Sequence, residues 1–495
     1  VPNIQQELGL SSSGVQWVIN AYLVALAAFF ALGGRLSDIL GHRRMVLIGV
    51  TIFAAASALC GATPANSVAE TWLIVFRALQ GIGAALLFPA ALAIVVAAFE
   101  LRERGKALAL FFGITGGLTA IGPILGGYLT QFTWRAIFWV NIPVAVVAIV
   151  LTLMSKVTTQ PKREPIDYRG AVLVAVGMGL SVLGLQQSST WGWGSVATWA
   201  CILGGLAVLV VFVLVEMRTP VPLIKVKIFR DRAFLADNAV LFFSMMAFVP
   251  VFFFASIYSQ LSLGLNATGA GLYLLIYFAG FAIASQIGGR ILDARGAKPT
   301  VIFGCVVGAV GYALWGWKLT ELNEGSQWPY IVLAGAGIGF LLGPASTDAV
   351  NRAIDASYGE VTGITQTLRN YGSSLGLAVL GTLLIRVNTD KVTTTLTELG
   401  VPADQAQQLA GSLSSQGGGG NAGRAGLAAL PSGARQQVLD AIKIDFAEAS
   451  QWVFYGMALT LVISLAFALA HPGGQVTEER TSASAGGIAP TGAAP

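Results

Sequence analysis

Apolar runs too long for any soluble core govern what this chain can become. A helix needs roughly 20 predominantly apolar residues to cross a bilayer, and stretches of that order recur almost from one end of the sequence to the other. We place spans at 15–36, 45–63, 71–98, 107–130, 136–154, 170–187, 197–215, 234–258, 269–289, 299–317, 329–350, 361–385 and 450–470, thirteen in number. The alternating pattern of a membrane β-barrel, about ten residues per strand, is absent. Helices satisfy every backbone polar group internally and fit these lengths. With 55% hydrophobic and only 11% charged residues among 495, the expectation is an all-α polytopic membrane protein.

The net charge of +5 invites a nucleic-acid reading, but the bases are not laid out as a patch. They gather on every second loop: Arg43 and Arg44, then Arg102, Arg104 and Lys106, then Arg163 and Arg169, then Lys225 to Arg232, then Arg290, Arg295 and Lys298. The loop at 61–69 between the first two groups has none. Bases mark cytoplasmic loops, so the C-terminus falls inside and Val1 outside. The odd number of spans then implies a helix upstream of Val1-Pro2. The organisation expected is 1–14 as the outer end of that helix, 15–154 as an incomplete N-terminal bundle, and 155–232 as a linker holding a helix pair. A C-terminal bundle follows at 233–386, with an extracytoplasmic insert at 387–449, a last helix at 450–470 and a disordered cytoplasmic tail at 471–495. The insert reads as a cap or a loop with short helical patches, broken by the run from Gly417 to Gly420.

One polar stretch stands out between two spans: Gly34-Arg35-Leu36-Ser37-Asp38-Ile39-Leu40-Gly41-His42-Arg43-Arg44. Gly289-Arg290-Ile291-Leu292-Asp293-Ala294-Arg295-Gly296-Ala297-Lys298 repeats it, so the chain is duplicated. The leading glycines, Gly34 and Gly289, admit a close neighbour, and Gly41 and Gly296 let the backbone reverse. Asp38 and Asp293 can cap a helix or pair with bases such as Arg43 and Arg44. The stretch reads either as a hairpin turn or as a latch between the two halves, and its repetition favours the latch.

Arg77 lies inside an apolar span, with Gln80 one turn on and on the same face. A charge at mid-membrane costs roughly 2.5–3.5 kcal/mol on insertion scales and usually serves a polar cavity; the other reading is an arginine that snorkels outward. In the next span Gly113 with Gly117, and Gly122 with Gly126, set small residues four apart, the spacing of helices that touch backbone to backbone. Gly127 ends the run, and Pro123 adds a kink, so the span reads either as a close-packing helix or as a flexible hinge whose packing sets leak and direction. Asp38, Asp237 and Asp348 are the candidate proton carriers, although each lies toward the cytoplasmic end of a span and reads also as a solvated helix cap, the favoured reading for Asp237 and Asp348. The only histidines are His42, in a loop, and His471, at the tail, which excludes a histidine relay inside the membrane. Phe248 and Phe252, in a span crowded with Phe and Met, and Gln80 are candidates for a substrate cavity that repacks around varied ligands. Neither a phosphate loop nor HExxH is present, and Cys60, Cys201 and Cys305 stand apart. No cofactor or metal is expected, and no enzyme; the proton carriers above point to a proton gradient as the expected energy source.

Read with Arg77-Ala78-Leu79-Gln80-Gly81, Gly122-Pro123-Ile124-Leu125-Gly126-Gly127 and Trp134-Arg135-Ala136-Ile137-Phe138-Trp139-Val140-Asn141-Ile142-Pro143, the duplicated stretch resembles the major facilitator superfamily. It looks most like the fourteen-span drug:proton antiporters of the EmrB/QacA type. The resemblance implies two six-helix bundles with an added pair, here at 170–187 and 197–215, rocking about a central cavity. It puts Arg77 at the proton-coupling arginine, Gly122-Pro123 in the antiporter signature and Asp38 in the gating loop. A first helix carrying an acidic residue is missing from this chain. The function it implies is export of amphipathic drugs or toxic small molecules in exchange for protons, by a monomer, across a bacterial cytoplasmic membrane. A dedicated exporter of one natural product is the alternative, and a non-transporting membrane sensor a more distant one. The partners are then small molecules, protons and the lipid bilayer, with no nucleic acid.

Overall fold

The computed structural model describes residues 10–99, 133–155, 165–352, 358–399, 401–415 and 432–474, with scattered positions in 4–8 and 103–132. Among them are fourteen α-helices. The first half holds α1 (Ser12–Leu40), α2 (His42–Gly61), α3 (Ala69–Ala98), α4 (Ala136–Trp139) and α5 (Asn141–Met154). A helix pair follows, α6 (Tyr168–Trp191) and α7 (Val196–Glu216). The second half holds α8 (Arg232–Leu261), α9 (Ala267–Arg295), α10 (Ala297–Lys318), α11 (Glu324–Arg352), α12 (Tyr358–Glu398), α13 (Ala403–Ser415) and α14 (Ser432–Ala470).

Eleven helical segments among the described residues are long and apolar enough to cross a membrane. The expected span at 107–130 lies in the sparsely described stretch, and Gly113, Gly117, Pro123 and Gly127 fall outside the described residues. The span at 361–385 lies within α12, a helix that Thr362, Gln366, Arg369 and Asn370 make too polar to count as apolar.

Each half is held by close helix packing that glycine makes possible. In the first half α3 lies on both α1 and α2; in the second, α11 lies on both α9 and α10. A Cβ on Gly337 of α11 would come within 2.2 Å of the Gly308 backbone in α10, and one on Gly335 within 2.1 Å of the Tyr277 carbonyl in α9. Such contacts bring backbones together where no hydrophobic drive exists between helices in lipid. The second-half core adds a stacked aromatic layer, with Trp315, Tyr312, Tyr277 and Phe454 all buried. Phe248 and Phe252 stack on Phe281 and Phe278 of α9.

Two expectations about element boundaries need correction. The stretch 387–449 is not a loop with short helical patches in its described parts: α12 continues to Glu398 and α14 begins at Ser432, 18 residues before the expected start of the last helix at 450. These extensions form a layer with α13, closed by Val392, Leu396, Ala406, Ala410 and Val438. Nor does the tail leave the fold at residue 471, because His471 is buried and residues 472–474 lie against the second half.

The halves meet where α12 crosses α1 and α3. The helix pair seals one side of that seam, since α6 touches both α1 and α12. Asn20 of α1 donates to Gln187 at 3.2 Å, Gln186 donates to Ser374 of α12 at 3.5 Å, and the Trp193 indole donates to Thr382 at 2.6 Å.

Candidate functional site

The duplicated polar stretch is helical over most of its length, which corrects the reading of an eleven-residue turn. Helix α1 runs through Gly34, Ser37 and Asp38 to Leu40, and the reversal is made by Gly41 alone, at φ 91°. That left-handed backbone is open to glycine at little cost. The second copy matches it: α9 runs through Gly289 and Asp293 to Arg295, and Gly296 turns at φ 80°. Gly289 is buried and Asp293 half-buried.

Asp38 then reaches across the seam between the halves. Its Oδ1 accepts the Gly359 N–H at 2.9 Å and its Oδ2 the Glu360 N–H at 2.8 Å. Both donors belong to the first turn of α12, where the helix leaves N–H groups without internal partners and its dipole favours an anion. An acidic residue of one half therefore caps a helix of the other. The glycines make the approach possible: a Cβ on Gly34 would lie 2.2 Å from the Gly359 carbonyl, and one on Gly359 would lie 2.3 Å from the Gly34 carbonyl. Ser37 donates to the Gly34 carbonyl at 2.7 Å, and His42 Nδ1 lies 3.1 Å from the Ser37 hydroxyl. Glu360 in turn accepts the Lys225 N–H, which ties the segment after the helix pair to the same junction. Arg43 does not reach the other half in its described hydrogen bonds. It donates to the Thr152 and Leu153 carbonyls at the C-terminus of α5, where a cation suits the dipole. Arg44 is exposed.

Arg77 points inward, not outward along its own helix. Its Nε donates to the Val18 carbonyl at 3.0 Å and its NH1 to Gln80 Oε1 at 2.6 Å, while the guanidinium lies 4.4 Å from the Tyr22 ring. The snorkelling alternative is thereby set aside. Gln80, expected to line a substrate cavity, is buried against α1 as the partner of Arg77. At Gly122 and Gly126 an added Cβ would meet nothing within 4 Å, so the backbone contact expected from their spacing is not made among the described residues.

Asp237 and Asp348 are brought together, and the cap reading fails for both: they are 2% and 3% exposed. Between them stands His471, a residue expected in a disordered tail. Its Nε2 lies 3.1 Å from Asp348 Oδ2 and 3.7 Å from Asp237 Oδ2, and Arg352 donates to the same Asp348 oxygen at 2.5 Å. Burial of the ring opposes charge, but the carboxylates of Asp237 and Asp348 beside it outweigh that and push the His471 pKa up to about 9. Arg369 was also missed as an intramembrane base. It is buried in α12 beside Gln366 and Asn370; an arginine eight residues into the expected span at 361–385 was the available signal.

Comparison with known proteins follows this geometry. The family model for the Major Facilitator Superfamily matches residues 1–377. The chain belongs to the Major Facilitator Superfamily. It is 33% identical over 390 residues to the tetracenomycin C resistance and export protein of Streptomyces glaucescens, covering 77% of this chain and 71% of that one. It is 32% identical over 404 residues to the cephamycin export protein CmcT of Amycolatopsis lactamdurans, covering 77% and 80%. Among solved structures, the proton:xylose symporter XylE superposes with a TM-score of 0.57 at 14% identity, over 97% of this chain and 93% of that one, which shows the shared fold. This facilitator is thus a transporter-family protein and not an enzyme, related to drug and antibiotic efflux proteins.

Proposed function

We propose that this facilitator exports amphipathic drugs or toxic small molecules across a bacterial cytoplasmic membrane in exchange for protons, as a fourteen-span antiporter whose α6–α7 pair is the addition to two six-helix bundles. The observation that carries the reading is the capping of α12 by Asp38. Alternating access needs a contact between halves that exists in one state only, and two charge-assisted hydrogen bonds to a helix end are such a contact. With the base-rich loops inside, Asp38 closes the cytoplasmic face and the conformation is outward-facing. Arg77 supplies the coupling charge in the first half: its buried cation holds Gln80 and the Val18 carbonyl until an acidic partner loses or gains a proton. Each proton entering down a potential of about 100 mV contributes about 2.3 kcal/mol to the cycle. A dedicated exporter of one natural product is favoured as the narrower form, because similar proteins carry single antibiotics in their names.

The test uses full-length protein in proteoliposomes with an imposed proton gradient, a fluorescent lipophilic cation and an aromatic polyketide antibiotic as probes. The parent is expected to move at least one probe in a gradient-dependent manner, and Arg77→Ala to abolish that movement. Movement that survives collapse of the gradient overturns the coupling. Accumulation in the direction of proton flow, rather than against it, overturns export.

A further inference from the structure

We propose that Asp237, Asp348 and His471 form a buried proton-binding site, closed by the chain's own segment 471–474. Its part in transport rests on the proton-coupled reading above; the binding of a proton does not.

The site is built from three helices and the residues after the last one. Asp237 comes from the second turn of α8, Asp348 from the last turn but one of α11, and His471 follows the final residue of α14. Their three side chains are 3–4% exposed. Asp237 Oδ2 and His471 Nε2 both lack a well-directed hydrogen bond and face one another across 3.7 Å. Two carboxylates so enclosed cannot both remain charged without cations, because burying an unpaired charge is costly. Arg352 neutralises Asp348 directly. Lys298 of α10 keeps its charge but points it at the His471 carbonyl, to which its ammonium donates at 2.6 Å, and among the described ion pairs it joins neither carboxylate. Asp237 is left with the imidazole, and one proton shared by that pair makes the cluster neutral.

The segment that carries His471 is fastened over the site. Arg352 donates to the Gly473 and Gly474 carbonyls at 3.0 and 2.8 Å, and Lys298 holds the carbonyl of His471 itself. Glycines at φ 77° and 85° allow the chain to turn there. The Gly473 N–H donates to His471 Nδ1 at 3.0 Å. That bond fixes the neutral tautomer with its hydrogen on Nε2, aimed at the carboxylates. A proton arriving at Nδ1 makes it a donor and displaces the Gly473 N–H. Loading of the ring and docking of Gly473 therefore exclude one another, and the two carboxylates favour loading. The same tautomer argues against a metal ion. The three atoms lie within 4.8 Å of one another, but a metal would need the Nε2 lone pair and would compete with Arg352 for Asp348.

The sequence has only two histidines, so His42→Gln leaves His471 as the single imidazole. Nitrogen-15 histidine labelling of full-length His42→Gln protein in nanodiscs, titrated by NMR from about pH 5 to 10, should show a ring titrating at least one unit above the ordinary ~6.5. The neutral form should be the Nε2–H tautomer. Asp237→Asn should lower that pKa by a unit or more, and Asp237→Glu should restore it, which separates loss of charge from loss of fold. A spin label at Gly474 should become more mobile as the ring is protonated. A ring titrating at or below ~6.5 and indifferent to Asp237→Asn overturns the site. So does stoichiometric Zn2+ uptake by metal-free protein that Asp237→Asn abolishes. Since no transport is measured, a protein that shows this titration but no proton-driven efflux keeps the site and loses the proposed function.

Discussion

Asp38 is one carboxylate doing what usually takes a loop. Removing a capping side chain costs about 0.5–2 kcal/mol, and Asp38 spans two halves, so the cost falls on the closed state. Asp38→Ala should raise the open population about 2- to 30-fold, at 1.4 kcal/mol per factor of ten. The measurement is maleimide labelling of Ser37→Cys, a residue now fully buried, in a background without the three native cysteines. Asp38→Asn, which also caps, should keep most of the protection; an unchanged rate in Asp38→Ala sinks the latch. The importance of Asp38 was legible in sequence because the motif is local and duplicated. His471 was not: a histidine followed by Pro and two Gly carries no local signal, and its partners Asp237 and Asp348 lie 234 and 123 residues away by their numbers. Arg77 was legible as an anomaly of charge, but its direction was not, since that depends on the Val18 carbonyl and the Tyr22 ring.

At the scale of the element, glycines govern the seam and polar helices mislead the reader. Gly359→Val places a branched side chain where even a Cβ lies 2.3 Å from the Gly34 carbonyl, a backbone atom that cannot yield as a side chain could. The expected outcome is a protein that folds but cannot close, with Ser37→Cys labelled at the rate of an open seam. Eleven of the thirteen expected spans coincide with apolar helices among the described residues, because hydropathy reports membrane crossing. The helix ends were not readable, because α12 and α14 extend beyond their apolar stretches as polar helical turns that hydropathy cannot distinguish from loops. That outer layer is held by few apolar residues, with Leu396 and Val392 fully buried. Leu396→Asp buries an unpaired charge and should cost several kcal/mol locally. Hydrogen exchange should rise across α13 while the Tyr277–Trp315 core stays protected. Equal loss of protection in both would show the layer to be one cooperative unit with the bundle.

At the scale of the whole molecule, rocking halves leave the α6–α7 pair with a choice, because α6 bonds to both sides of the seam. Its contact with α1 is a long apolar one: Ala171, Val174, Met178 and Val182 join the cluster that holds Ala27 and Ala31, and Gly179 faces Ala28 at van der Waals distance. Its contact with α12 is smaller: Leu185 joins a short apolar cluster with Ala378 and Leu375, and two side-chain hydrogen bonds, from Gln186 to Ser374 and from Trp193 of the following turn to Thr382, complete it. Apolar packing over several turns is distributed, whereas two hydrogen bonds of about 0.5–1.5 kcal/mol each can be exchanged for others. The pair should therefore travel with α1 and part from α12. Two cysteine pairs test this in the cysteine-free background. Asn20→Cys with Gln187→Cys should cross-link on oxidation and leave efflux intact. Gln186→Cys with Ser374→Cys should cross-link and stop efflux, with reductant restoring it. The reverse pattern would assign the pair to the second half. Efflux insensitive to both cross-links would mean that this seam does not open during transport, and the rocking of halves about α1 and α12 would have to be abandoned.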